Sequence, residues 1–180
     1  MQQLADLRTT VRISHHYAAP PARVFDAWLA PQIAGLWLFA TASRPMVKVD
    51  IDARAGGTFC LVERRAGAVI EHRGRYVEIA RPQRLMFVLH SPDCAPKEVP
   101  LGGAPKEVPL GGAPKEVPLE GVPYATRVTT ELKPSDTGCT LQLMHDGLSP
   151  QDAPRMEARW DGMFYGLESI LALRRAKKTI

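Results

Sequence analysis

Short segments in which hydrophobic and polar residues alternate recur along most of the chain, and such alternation predicts β-strands. In the first segment, Val11, Ile13, His15 and Tyr17 fall on one face. Further alternating segments occur near residues 47–51, 59–61, 69–79, 85–89, 128–132 and 139–143. The connections between successive segments are too short for crossover helices between parallel strands. The pattern therefore predicts a seven-stranded antiparallel sheet.

Proline positions and a longer periodicity predict three helices. Pro20 and Pro21 end the first strand and begin a short helix over 22–30, and Pro31 begins a second short helical turn. Ser149 and Pro150 suit the start of a final helix that runs to about Lys178. One stripe of that helix is apolar: Met156, Trp160, Met163, Phe164, Leu167, Ile170 and Leu171. We expect this amphipathic helix to lie against the concave face of the sheet.

A tandem repeat interrupts the predicted sheet. Residues 95–103 and 104–112 both read APKEVPLGG, and residues 113–121 differ only at Glu120. The two prolines in each copy exclude a central strand, and a nine-residue period is too short for the familiar solenoids. We therefore expect a single domain over residues 1–180 with an inserted extended or mobile loop at about 91–124. A tolerated insertion is favoured over a working lid, since lengthening a surface loop destabilises the fold only slowly.

Composition narrows the class of protein. The chain has 180 residues, of which 45% are hydrophobic and 23% charged, as in a soluble globular domain. There is no apolar run of membrane-spanning length and no apolar signal segment at the start, so a cytoplasmic protein without a membrane partner is expected. The net charge is only +4. A basic cluster ends the chain at Arg174, Arg175, Lys177 and Lys178, which suits the end of a helix better than a nucleic-acid site.

Metal and enzyme motifs are not evident in the sequence. Cys60, Cys94 and Cys139 form no CxxC pair, so free thiols are expected. His15 and His16 are adjacent on a strand and point to opposite faces, which argues against a shared metal. No cofactor motif, Ser-His-Asp order or nucleophile elbow is present.

Several titratable residues fall on predicted strands: His72, Tyr76, Glu78, His90 and His145. If residues 69–79 alternate regularly, His72, Gly74, Tyr76 and Glu78 share one face. A histidine and a tyrosine facing the interior could polarise a carbonyl group or move a proton. Structural hydrogen bonding of the same side chains is the simpler interpretation. The sequence assigns no catalytic residue and leaves enzyme activity open.

Four sequence segments together resemble a known family. They read APPARVFDAWLAP at 19–31, DIDARAGGTF at 50–59, GRYVEIARP at 74–82 followed by Arg84-Leu85, and WDGMFYGL at 160–167. In this order they resemble the START/Bet v 1-like superfamily, in the branch related to the C-terminal domain of the activator of Hsp90 ATPase. The resemblance implies an α+β helix-grip fold. Two departures are the insertion and a single Trp37 where the family often has a Trp-Trp pair.

The resemblance implies an apolar cavity between the sheet and the last helix, which would bind a small or medium hydrophobic molecule without a cofactor. The residues expected to line it are Trp37, Phe59, His72, Tyr76, Phe87, Met156, Trp160, Phe164 and Leu167, with His72 as a polar anchor. Two alternatives stay open. One is a co-chaperone-like regulator that binds Hsp90, and the other is a cyclase or hydrolase acting on a polyketide-like substrate. The oligomeric state is open as well, with a homodimer among the options.

Overall fold

The structure is a computed structural model that describes residues 8–41, 46–65, 67–90 and 125–176. The predicted insertion at 91–124, Cys94, and the predicted helix end near Lys178 lie outside these residues. In chain order the elements are β1 (Thr9–Tyr17), α1 (Pro21–Leu29), α2 (Pro31–Trp37), β2 (Met46–Ile51), β3 (Thr58–Arg65), β4 (Ala68–Ala80), β5 (Arg84–His90), β6 (Ala125–Ser135), β7 (Gly138–Leu148) and α3 (Ala153–Ala176).

The strands form one antiparallel sheet in the order β1-β7-β6-β5-β4-β3-β2. The chain's first strand pairs with its last, with Ile13 opposite Leu143. In this order β1 and β2 are the two edge strands of the sheet. Helices α1 and α2 connect these two strands along the chain. This arrangement, with α3 packed on the inner face, confirms the α+β helix-grip fold predicted from the sequence.

The core lies between α3 and the inner face of the sheet. Six side chains of the predicted apolar stripe of α3 are buried there: Met156, Trp160, Met163, Phe164, Leu167 and Leu171. Ile170, the remaining member, is partly buried against the same core. The 3.6-residue periodicity therefore identified the buried face of α3 correctly.

Strand β4 departs once from regular alternation. His72, Gly74 and Tyr76 point inward and are buried. The pairing with β5 shifts between Tyr76 and Glu78, which places an extra residue on β4 and turns the following side chain over. Glu78 pairs with Arg84, Nε to Oε2 3.1 Å, away from the core. The expectation that Glu78 shares the face of His72 is therefore wrong.

The start of α3 also differs from the prediction. The Ser149 hydroxyl donates to Asp152 Oδ2 at 2.8 Å and accepts from the Asp152 backbone N–H at 3.2 Å. These bonds fix a turn over 150–152, and the helix begins only at Ala153. Ser149 thus stabilises the turn ahead of the helix. The Asp152 carbonyl accepts from the Met156 backbone N–H at 2.9 Å, within the first helical turn.

Within the described ranges, no helix combines the length and apolar character needed to cross a membrane. Cys139 is a buried free thiol and Cys60 a half-buried one. Burial raises the pKa of both thiols, so both stay protonated near neutral pH.

Candidate functional site

The candidate site is the space between α3 and the inner face of β3, β4 and β5. All nine residues expected to line a cavity are buried: Trp37, Phe59, His72, Tyr76, Phe87, Met156, Trp160, Phe164 and Leu167. The sheet contributes a compact group in which the Phe59 ring lies 5.3 Å from Tyr76 and 5.4 Å from Phe87, between ring centroids. Trp160 and Phe164 of α3 lie 6.0 Å apart. The structure therefore brings the predicted residues together in one interior region.

Trp28 of α1, which the sequence analysis did not select, joins these groups. Its ring lies 4.7 Å from Trp37, 6.1 Å from Phe87 and 6.0 Å from Trp160, between centroids. The indole N–H of Trp37 donates to the Ala27 carbonyl at 3.1 Å. The indole N–H of Trp28, which is 1% exposed, has no acceptor within the described part of the chain. The four-residue spacing of Val24 and Trp28, which puts both side chains on one face of α1, is a signal that could have identified Trp28.

A line of hydrogen bonds connects α3 to the sheet through His145. The Trp160 indole N–H donates to His145 Nδ1 at 3.0 Å, so His145 Nε2 carries the proton and donates to Thr126 Oγ1 at 2.8 Å. Thr126 then donates to the Leu89 carbonyl at 3.3 Å. Burial lowers the pKa of His145 to about 3, which keeps the imidazole neutral. Each ring nitrogen is used, which supports a structural role for His145.

A second polar group combines three side chains from three elements. His72 Nε2 lies 3.2 Å from Glu63 Oε1, and both side chains are fully buried. Arg159 of α3 approaches the same Glu63 oxygen at 3.4 Å. The carboxylate–imidazole pair brings two buried polar groups face to face in the interior. Glu63 was missed because it is charged, although it shares a strand face with Phe59 and Leu61.

Phe39 packs directly on this polar group. Its ring stacks on His72 with centroids 4.2 Å apart and planes 9° apart. The Arg159 guanidinium carbon lies 5.3 Å from the centroid of the same ring, within the range of a cation–π interaction. Phe39 is fixed from a third side because its backbone N–H points at Met163 Sδ, 3.0 Å away.

The other titratable side chains lie elsewhere. His15 Nε2 contacts Glu168 at 3.2 Å beside Tyr17. Burial raises the pKa of Tyr17, with a smaller contribution from Glu168, and burial also raises the pKa of Tyr76. Neither tyrosine is therefore ionised near neutral pH. His90 ends β5, and burial lowers its pKa.

The outer face of the sheet carries a depression of about 320 Å³. Its lining belongs to β1, β6 and β7: Arg12, Ile13, Ser14, Thr129, Glu131, Gln142, Leu143 and Met144. It lies on the face opposite α3 and includes none of the residues that the sequence analysis selected. Among the described residues, no group of three or more His, Cys, Asp or Glu side chains is arranged to hold a metal ion.

The interior site thus combines aromatic walls with a few polar groups. Trp28 offers an N–H donor, Arg159 a guanidinium and His72 an imidazole held by a carboxylate. His145 is committed to Trp160 and Thr126.

Comparison with known proteins identifies relatives of the chain. The family model described as "Activator of Hsp90 ATPase homolog 1-like protein" matches residues 18–172. A search of curated proteins gives no match.

Solved structures share the fold at low sequence identity. A protein from Chromobacterium violaceum is 22% identical with a TM-score of 0.68, over 89% of this chain and 95% of that one. The AHSA1-like protein of Aeromonas hydrophila is 17% identical with a TM-score of 0.68, over 92% and 94%. A protein from Rhizobium leguminosarum is 18% identical with a TM-score of 0.67, over 92% and 95%. At these identities the likeness to the solved structures shows the fold alone.

Proposed function

Because the chain belongs to the family of Activator of Hsp90 ATPase homolog 1-like proteins, we propose that it binds a small or medium hydrophobic ligand between α3 and the inner face of the sheet. The indole N–H of Trp28 is the observation that carries this proposal. It is buried among the rings of Trp37, Phe87 and Trp160 and lacks an acceptor in the described ranges. A buried donor without an acceptor destabilises a fold by about 1–3 kcal/mol. A ligand oxygen would satisfy it.

The expected ligand has an apolar body and at least one hydrogen-bond acceptor. Burial of one aromatic ring contributes about 2–4 kcal/mol from its apolar area. Part of this is lost when the ligand is immobilised. The apolar contacts alone therefore give weak binding, and an acceptor placed against Trp28 raises both affinity and selectivity.

Native mass spectrometry of the protein purified from its source organism tests the proposal. We expect a retained small molecule that is released by organic solvent. Trp28→Phe keeps an aromatic side chain but removes the unsatisfied donor, so this variant should retain less of the molecule. Trp37→Phe makes the same change at a neighbouring residue of the site whose N–H already donates to the Ala27 carbonyl, so this variant should retain more of the molecule than Trp28→Phe does. Equal retention by the wild-type protein and Trp28→Phe would contradict the role of Trp28, and absence of a retained molecule from every preparation would contradict the proposal.

A second candidate function, binding to Hsp90, follows from the family match over residues 18–172. Large apolar side chains are exposed on α2 and α3, namely Leu36, Tyr165 and Leu173. Exposed apolar side chains of this kind can contribute to a protein interface. Titration of purified Hsp90 with the full chain, followed by calorimetry, tests this candidate. A triple variant with serine at the three positions should lose the heat of binding, and the absence of heat with the wild-type protein would exclude the candidate.

A further inference from the structure

We propose that the Phe39 side chain is the gate of the interior ligand site, and that the site opens to solvent when this ring moves off His72. This inference rests on the proposed function and concerns how a ligand reaches the Trp28 N–H. It is carried by three features of the described residues: the closure of the site, the strained backbone of Phe39, and the contacts of its ring.

The first feature is the closure of the site. The nine residues expected to line it are all buried, and Trp28 is 1% exposed. A ligand oxygen can therefore reach the Trp28 N–H only after a side chain that encloses the site has moved, because protein interiors are close-packed. Lids and gating side chains perform this step in other enclosed sites.

The second feature is the backbone of Phe39, whose φ is +59°. In the described part of the chain, no other residue except glycine has a positive φ. This left-handed conformation is strained in a bulky residue, and it persists only where surrounding contacts enforce it. Movement of the ring out of its packed position would release the strain. The release offsets part of the free energy lost with the contacts of the ring.

The third feature is the place of the Phe39 ring. Its centroid lies 5.9 Å from that of Trp160, whose ring in turn lies 6.0 Å from that of Trp28. The same Phe39 centroid lies 5.3 Å from the guanidinium carbon of Arg159, a side chain that is 18% exposed. Phe39 therefore contacts both a side chain that reaches solvent and the aromatic group around Trp28. A gate requires such a position.

The contacts that hold Phe39 closed can be lost without loss of the fold. Its ring stacks on the His72 imidazole with planes 9° apart, and its backbone N–H points at Met163 Sδ. Stacking and cation–π contacts are each weak beside the stability of a whole domain. Their loss moves one ring and leaves the sheet and α3 in place. We therefore expect a minor open state with a population of about 0.1–10%.

Hydrogen exchange of the indole N–H groups, followed by NMR on the full chain, tests the gate without a ligand. The Trp28 N–H has no acceptor in the described ranges, so its exchange measures the access of water. The Trp37 N–H donates to the Ala27 carbonyl, so its exchange measures disruption of the fold around α1 and α2. Below the unfolding transition, exchange at Trp28 should be nearly independent of urea, since movement of one ring exposes little surface, whereas exchange at Trp37 should rise with urea. An equally steep rise at both groups would overturn the inference, because water would then reach Trp28 only through larger unfolding.

Phe39→Leu supplies a second measurement. Leucine keeps an apolar side chain on the same strained backbone but loses the stack on His72 and the cation–π contact, so the open state gains population. Exchange at Trp28 should become at least fivefold faster than in the wild-type protein. Exchange at Trp37 should change less than twofold, because the hydrogen bond of its N–H does not involve Phe39.

Phe25→Leu is the matched control. Phe25 is fully buried in α1, and its ring is not one of those that contact Trp28 in the described part of the chain. This variant should keep the ratio of the Trp28 and Trp37 exchange rates at its wild-type value. If Phe39→Leu does not fold, as judged by circular dichroism, the urea dependence of exchange in the wild-type protein decides the matter.

The outcomes separate this inference from the proposed function. Equal acceleration of exchange at Trp28 and Trp37 in Phe39→Leu, or acceleration at neither, would overturn the gate. Ligand binding would still be judged by the retained mass in native mass spectrometry. Absence of a retained molecule would contradict the proposed function, and the exchange rates would still measure the opening at Phe39.

Discussion

At the scale of single residues, His145 shows how burial fixes a protonation state. Its pKa falls from 6.5 to about 3 because the imidazole is desolvated. Between these pH values the unfolded chain binds more protons than the folded protein. The free energy of unfolding therefore rises with pH in this window, and stability is lost as pH falls from 6.5 towards 3. We expect His145 to account for a loss of a few kcal/mol over that interval.

Urea denaturation at pH 4 and at pH 7 measures this effect. His145→Gln lacks a titrating group, so its stability should depend less on pH than that of the wild-type protein. His16→Gln is the matched control, because His16 is exposed and bonds only Thr137 among the described side chains. The His16 variant should follow the wild-type pH dependence. Parallel curves for the wild-type protein and His145→Gln would show that His145 does not titrate as expected.

Single residues also show what sequence patterns miss. Strand alternation placed Phe59 and His72 in the interior, and the structure agrees. The same alternation places Glu63 inward, but a charged side chain argues against burial unless its partners are known. Those partners, His72 and Arg159, lie on other elements. The left-handed backbone of Phe39 was not predictable either, because tertiary contacts enforce it against the local preference.

At the scale of elements, Gly74 allows β3 and β4 to pack closely. A Cβ atom at this position would collide with the Phe59 ring and the Val88 carbonyl oxygen. Gly74→Ala should therefore lower the free energy of unfolding by about 1–3 kcal/mol, as overpacking does in other cores.

Gly162 provides the opposite case for the same chemical change. It lies in α3, it is exposed, and a Cβ atom there would meet nothing within 4 Å. Gly162→Ala should raise the free energy of unfolding by about 0.5–1 kcal/mol, since alanine favours the helix. Urea denaturation of both variants measures the contrast. A similar change in both would show that the packing of Phe59 over Gly74 is not the cause.

The elements differ in how far sequence could predict them. The alternation of apolar and polar residues predicted all seven strands, and the 3.6-residue periodicity predicted the buried stripe of α3. The shift in register after Tyr76 was not predicted, because Val77 and Ile79 are both apolar and the pattern does not say which of them faces the interior. The start of α3 was placed too early because Ser149 and Pro150 suit a turn as well as a helix start.

At the scale of the whole molecule, strands β5 and β6 show where the insertion attaches. His90 and Ala125 are paired across the two strands, so the two residues that flank positions 91–124 are adjacent in space. Adjacent antiparallel strands can be joined by a short hairpin. The sheet thus does not require a long connection, and the preference for a tolerated insertion over a working lid stays a prediction.

Deletion of residues 95–112, which removes two of the three repeats, tests this interpretation. The deletion roughly halves the connection between His90 and Ala125 and should stabilise the protein by about 0.6 kcal/mol through the smaller closure entropy. Urea denaturation and native mass spectrometry of the shortened chain measure stability and ligand retention together. A destabilisation above about 1 kcal/mol would mean that the repeats pack on the domain, since loop entropy alone gives the opposite sign. Unchanged stability with reduced retention would instead favour the lid, because a lid acts on the bound ligand and leaves the sheet and α3 as they are.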